Sequence, residues 1–404
     1  MRGRPEELEL VDRFLSLACL SYAGDGPERL QEARQLLAAH PDLARAGIHT
    51  AAAVGDVAAA ADLLAHDSSL ARRRGGPHGW EPLLYVAYSR LDSPRPEHST
   101  LEVARLLLEH GADPNAGFIG SWGPPPFTAL TGAFGYGEDA PNQPPHEHEL
   151  ELARLLLEAG ADPNDEQALY NNHWRRSNEH LELLFAYGLG TGDGGPWHRR
   201  LAPRHASPAQ MLEDQLLFAT DAGNTERVEL LIRHGVDVDG LGTRHPILHG
   251  RNALDLALAN GHAQIAELLT DAGATAGALD RVEELLAACM RGDRRRAREL
   301  LAADERLAAE AVARDPRRLG KAVELGRPDA VRLLAELGHD VNRKQQGRTA
   351  LHLAAYDGNL EMVDLLLELG TDRTVTDDDF QATPAGWARH ARHDELADHL
   401  EDRS

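Results

Sequence analysis

Residues Gly347–Asp372 read GRTALHLAAYDGNLEMVDLLLELGTD, and this stretch constrains the fold more than any other. It spells two short amphipathic helices joined by a glycine turn at Gly358, with glycine again at Gly370. Glycine after a Leu-rich helix can take the left-handed conformation that ends it. Variants of this unit recur along almost the whole chain. The Leu-Leu run of the second helix falls at Leu36, Leu63, Leu106, Leu155, Leu183, Leu230, Leu268, Leu300, Leu333 and Leu365. The last three intervals are nearly constant, whereas the earlier ones vary, which means inserted segments. Upstream of most runs lies a small-residue helix ending in glycine, as in His49–Gly55, Leu254–Gly261, Leu285–Gly292 and His352–Gly358. One such unit cannot bury its apolar face alone. Stacking makes a continuous core, so the expectation is an all-α solenoid of about eleven helix pairs, with short hairpin loops and several inserted loops.

Thr349–Asn359 (TALHLAAYDGN) carries the pattern TPLHLAAxxGH, with Ala350 where proline is usual. HGADPN occurs at His110–Asn115, AGADPN at Ala159–Asn164 and HGVDVD at His234–Asp239. On these residues the chain resembles the ankyrin repeat over nearly its whole length. The resemblance implies alanine-rich inner helices, Leu- and Val-rich outer helices, a structural role for His352, and a concave groove that captures another protein. Residues 1–46 then read as an N-terminal capping pair and 47–187 as irregular repeats with inserted loops. Residues 188–208 read as a Gly/Pro-rich linker or long loop, 209–382 as regular repeats and 383–404 as a C-terminal cap. Leu36–Ala44, Leu63–Ala71 and Leu300–Ala308 share a variant ending, read as a short extra turn.

The net charge of −23 argues against general nucleic-acid binding, which needs a basic footprint, and fits a partner with a basic patch. Lys321 and Lys344 are the only lysines, a bias toward arginine that reads as high-GC, bacterial coding. Cys19 and Cys289 lie inside helical patterns and read as buried small apolar residues of a reducing compartment. The apolar run Phe14–Ala23 follows an acidic segment where a secretory signal needs positive charge. No run approaches the length of a membrane span. The expectation is a cytoplasmic monomer without membrane contact.

The irregular part lies between Gly75 and Pro208. Leu91–Thr100 and Tyr136–His148 are inserted at equivalent places in adjacent units and are expected to protrude side by side. Gly117–Pro126 lengthens a hairpin, Gly188–Pro208 separates two units, and Leu241–Gly250 is a milder insertion. Residues 80–197 hold 13 of the 19 aromatics. Tryptophan, tyrosine and arginine are common interface hot spots; irregular repeats also fill core gaps with aromatics, and the cluster is open to both readings. The two residues before the inner-helix glycine face the groove in such repeats. That register, with the hairpins beside it, selects Trp80, Tyr88, Trp122, Tyr136, Trp174, Arg175, Asp221, Asn260, Arg348, Tyr356 and Asp357 as partner-binding candidates. Trp80, Tyr88, Trp174, Arg175 and Tyr356 are expected to be exposed.

Catalytic motifs are missing: the sequence has no GxSxG, no GxxxxGKS and no GxGxxG after a strand. His146-Glu147-His148 is the one ligand-like cluster, but residues two apart point away from each other in a helix or strand. No catalytic, cofactor or metal residue is assigned. HWRR (His173–Arg176) and WHRR (Trp197–Arg200) could stack on bases, but the net acidity outweighs them. The leading reading is a non-catalytic scaffold that captures a partner protein on its concave face. The alternative is an acidic inhibitor, immunity-type or nucleic-acid-mimicking regulator of a basic partner. An enzyme with its site on the inserted loops ranks last; it would need perturbed acids and a histidine in a closed pocket.

Overall fold

A computed structural model describes residues 5–91, 97–248, 250–277 and 279–402. Residues 92–96 of the first insertion and His249 of the mildest one lie outside the described residues. The chain divides into two compact units, Met1–Gln215 and Leu216–Ser404.

Among the described residues the first unit stacks five helix pairs. They are α1 (Pro5–Ala18) with α2 (Pro27–Ala39), α3 (Ile48–Val54) with α4 (Val57–His66), and α5 (Pro82–Tyr88) with α6 (Thr100–Glu109). A hairpin of β1 (Gly117–Gly120) and β2 (Gly123–Thr128) follows, pairing Phe118 with Phe127. Then come α7 (Ala129–Phe134) with α8 (Glu149–Glu158) and α9 (Glu166–Asn172) with α10 (Glu179–Ala186). A short helix, α11 (Gly195–Leu201), forms inside the stretch read as linker or loop.

Six further pairs follow among the described residues. They begin with α12 (Pro208–Asp221), inside which the division falls, and α13 (Thr225–Arg233). Next are α14 (Ala253–Asn260) with α15 (Ala263–Asp271) and α16 (Arg281–Met290) with α17 (Arg294–Ala303). A single helix α18 (Leu307–Arg314) precedes α19 (Arg318–Glu324) with α20 (Pro328–Glu336). The last pairs are α21 (Ala350–Tyr356) with α22 (Leu360–Glu368) and α23 (Pro384–His390) with α24 (Asp394–Glu401). The variant endings at Leu36 and Leu63 each close with a short 3-10 turn, Pro41–Arg45 and Ser68–Arg72. At Leu300 the expected short turn is instead α18, because LAAEAVAR consists largely of good helix formers.

Local chemistry explains the repetition. Gly55 ends α3 at φ +78, where an added Cβ would stand 2.7 Å from the Thr100 nitrogen. The next residue, Asp56, caps α4 by accepting from the Ala59 N–H at 3.0 Å. Asn224, Asp293 and Asn359 follow glycine and cap their outer helices in the same way. Asparagines in three of the hairpin turns tie one repeat to the next. Asn115 donates to the Gly160 carbonyl and accepts from the Asp162 N–H. Asn164 does the same with Thr191 and Gly190, and Asn342 with Gly370 and Asp372. His352 is buried. Its Nδ1 accepts from Thr349, and its Nε2–H donates to the Ala382 carbonyl at 3.1 Å, joining α21 to the last hairpin.

In that last hairpin the Asp377 carboxylate is buried. It accepts from the N–H groups of Asp379, Phe380 and Ala382 and from the Trp387 indole. Burial pushes its pKa up, but these four donors outweigh burial and bring it down to about 2. The clamped loop holds Phe380 79% exposed.

Candidate functional site

The eleven candidate residues meet different fates. Trp80 and Tyr88 are buried, which corrects the expectation that they face a groove. The β1–β2 hairpin covers them. Phe118 stacks on Trp80 at 4.6 Å, and the Tyr88 hydroxyl donates to the Thr128 carbonyl at 2.9 Å. Phe127 in turn lies 5.0 Å from Tyr22. These side chains form one core, so the aromatic density there mainly reflects an insertion that has to be packed.

The Tyr136–His148 insertion also departs from expectation. It folds back rather than protruding, with Asn142, Gln143 and His146 buried. Arg90 anchors it, donating to the carbonyls of Pro144 and Gly132 at 2.7 Å each. Burial drives the His146 pKa down to about 3, with Arg90 adding to the effect, so its imidazole is neutral at ordinary pH. Tyr136 is half-buried and receives the Arg175 guanidinium on its ring at 4.5 Å. Arg175 also pairs with Glu149, which draws it inward and corrects its expected exposure.

In the second unit Asn260 is buried, contrary to a groove-facing role. It donates to Asp221 at 2.9 Å and accepts from Arg318 at 3.1 Å. Asp221 is half-buried and pairs with Lys321. Chain polar groups therefore satisfy these positions. Arg348 lies over the Trp387 ring at 5.5 Å, and Lys344 pairs with Asp378. Tyr356 is half-buried and Asp357 is exposed.

Two candidates in the first unit remain strongly exposed: Trp122 at 55% and Trp174 at 46%. Trp122 lies at the tip of the hairpin beside Ile119, which is also exposed. Trp174 follows α9 and lies edge-on to Tyr170 at 5.3 Å.

The first unit also holds a pocket that the candidate residues did not include. Asn115, Asp162, Asn164, Glu166, Trp197 and His205 supply its polar wall. Asp162 and Asn164 belong to an AGADPN turn, and α11 carries Trp197, whose indole donates to the Asn115 carbonyl at 2.9 Å. Gly195 is needed here, because its Cβ would fall 1.5 Å from Asp162 Oδ2. Glu166 Oε2 accepts from the Ala206 N–H at 3.1 Å and lies 3.5 Å from His205 Nδ1. Neighbouring Asp165 is buried and accepts from Thr128, Thr131 and the Ala168 N–H, capping α9. Burial raises the carboxyl pKa of both Asp165 and Glu166. Perturbed acids and a histidine thus meet in a pocket, the feature that an enzyme reading required. Asp165 is consumed as a helix cap, however, and no lining residue is a serine or cysteine. Among the described residues no three His, Cys, Asp or Glu side chains gather to hold a metal ion. No described helix is long and apolar enough to cross a membrane.

Comparison with known proteins agrees with the repeat architecture. A family model of ankyrin repeats in three copies matches residues 285–400, and one of the single ankyrin repeat matches residues 78–117. An L-asparaginase of Dirofilaria immitis is 30% identical over 192 residues, 45% of this chain and 30% of that protein. Protein phosphatase 1 regulatory subunit 27 of Homo sapiens is 39% identical over 62 residues, 15% of this chain and 40% of that protein. The chain therefore spans less than half the length of either relative.

Proposed function

The chain is an ankyrin-repeat protein, and from that premise we propose that it is a non-catalytic scaffold that captures a partner protein. Ankyrin repeats are an interaction architecture, and the relative named as a phosphatase regulatory subunit fits a regulatory role. The observation that carries the reading is the exposure of Trp122 and Trp174 in a unit that buries Trp80 and Tyr88. Large aromatics left in water beside a packed aromatic core suit a surface completed by another protein. Tyr136, Arg175, Tyr356, Asp357 and Arg348 are secondary contacts in this reading. The acid excess favours a partner with a basic patch, and the two buried free cysteines fit a cytoplasmic setting. The relative named L-asparaginase is aligned over under a third of its length, so its named activity is not carried over.

Affinity capture from the source cells tests the proposal. A specific partner should be retained by the wild type and lost, about tenfold or more, by Trp122→Ala with Trp174→Ala. The melting midpoint should stay near that of the wild type, since both rings are exposed. Retention of the same partner by the double variant would refute the assignment of these surfaces.

A further inference from the structure

We propose that Asp221 in the second unit is a docking site for a basic side chain of a partner protein, kept closed in the free protein by the chain's own Lys321. The ligand chemistry is already on display. The Lys321 ammonium, 100 residues away in the chain, sits on Asp221 Oδ2, so the site is seen with a primary ammonium in it.

The carboxylate is held in place from behind. Asp221 is the last residue of α12, and its Oδ1 accepts from Asn260 Nδ2 at 2.9 Å. Asn260 is 3% exposed, and its Oδ1 accepts from Arg318 Nη1 at 3.1 Å. Arg318 is buried too, and it is fixed by Asp315 at 2.8 Å. A buried amide and a buried guanidinium therefore orient Asp221 so that Oδ2 is left for a cation.

Two features make the internal cation exchangeable. The pair can be reached from solvent, with 22% of the Lys321 side chain and 19% of the Asp221 side chain exposed. An ion pair with access to water is weak and yields to a competing cation. Lys321 also has a second carboxylate to turn to. Glu324 Oε2 lies 3.6 Å from its Nζ, three residues on along α19, and Glu324 is exposed. When a partner's lysine or arginine takes Asp221 Oδ2, Lys321 swings to Glu324 and no charge is left unpaired. The neighbouring arginines lack this freedom. Arg318 is buried on Asn260, and Arg327 donates to the Asn260 and Met290 carbonyls. A basic visitor also suits the net charge of −23. The proposal rests on the partner-capture reading for the source of that visitor, and it adds a contact in the second unit to the exposed tryptophans of the first.

The test uses the full chain labelled with 13C-lysine, which gives two sets of side-chain signals because the chain has two lysines. Lys344→Arg assigns them. Asp221→Asn, shown to be folded by its thermal melt, marks where the Lys321 ε-methylene signal lies once its carboxylate is gone. The probe is a capped hexa-arginine peptide. Titrating the wild type with it should move the Lys321 signal saturably toward that mark. Glu324→Gln removes the second carboxylate and should weaken this response about threefold. Glu361→Gln, an equal loss of charge on α22, should leave it unchanged. A Lys321 signal that stays in place throughout the titration overturns the proposal. So does a wild-type signal already coincident with that of Asp221→Asn, or an equal response in Glu324→Gln and Glu361→Gln. Trp122 and Trp174 belong to the first unit, so the tryptophan pull-down would be untouched by that result and the two readings fail separately.

Discussion

Asp377 offers the sharpest energetic test of the repeat architecture. Replacing it with asparagine keeps the shape and removes the charge from a carboxylate that takes four donors. Its pKa of about 2, against 3.8 for a free aspartate, corresponds to about 2 kcal/mol of preference for the ionised form in the fold. The asparagine amide also turns an N–H toward one of those donors, and a buried unpaired group adds about 1–3 kcal/mol. The expected loss is about 3–5 kcal/mol, bounded above by the stability of the last repeat itself. Trp387 donates to Asp377, so its fluorescence in a urea titration reports the loop directly. The sign with pH follows from the depressed pKa. The Asp377 contribution is fully present above the unfolded value near 3.8 and is lost as pH falls through about 2. The gap between wild type and variant should therefore be flat at neutral pH and shrink in acid. A variant whose Trp387 transition coincides with that of the wild type at neutral pH would refute the clamp.

Trp80→Ala should cost about 3–5 kcal/mol of stability, measured by denaturant melts, because the ring is stacked in the core; an unchanged melt would return Trp80 to the surface. Ala354 is buried in α21, so Ala354→Leu should overpack the stack by about 1–3 kcal/mol in the same assay. Replacing Tyr136–His148 with a tight turn should lose about 2–4 kcal/mol, since Arg90 would be left without its carbonyl partner there. A melt equal to wild type would show that the insertion is dispensable.

The repeat was readable because its signals are local. Glycine at 358 and asparagine at 359 act on their own neighbours, and His352 reaches only one hairpin away. The burial of Trp80 was not readable in the same way. It depends on Phe118, a residue 38 positions on, whose strand pairing has no strong signature in a Gly- and Pro-rich run. The candidate pocket was hidden for a related reason. Asp162 and Asn164 appear in the sequence only as a helix stop, and Glu166 meets His205 across about forty residues of chain. The one available clue was the histidine at 205 inside the Gly/Pro-rich stretch 188–208, and it carries no distance information. The register rule also failed at Asn260, because Arg318 reaches it from a later unit.

The chain spends its only two lysines on ion pairs, Lys321 with Asp221 and Lys344 with Asp378. Amine-directed labels therefore have two internal addresses on the molecule, each guarded by a carboxylate. The more accessible Lys344 should acylate first, and modification of Lys321 would sever the tether between α12 and α19. Cross-linking through amines will under-report the contacts this protein makes, whereas carboxylate-directed reagents can draw on the exposed members of its 65 Asp and Glu.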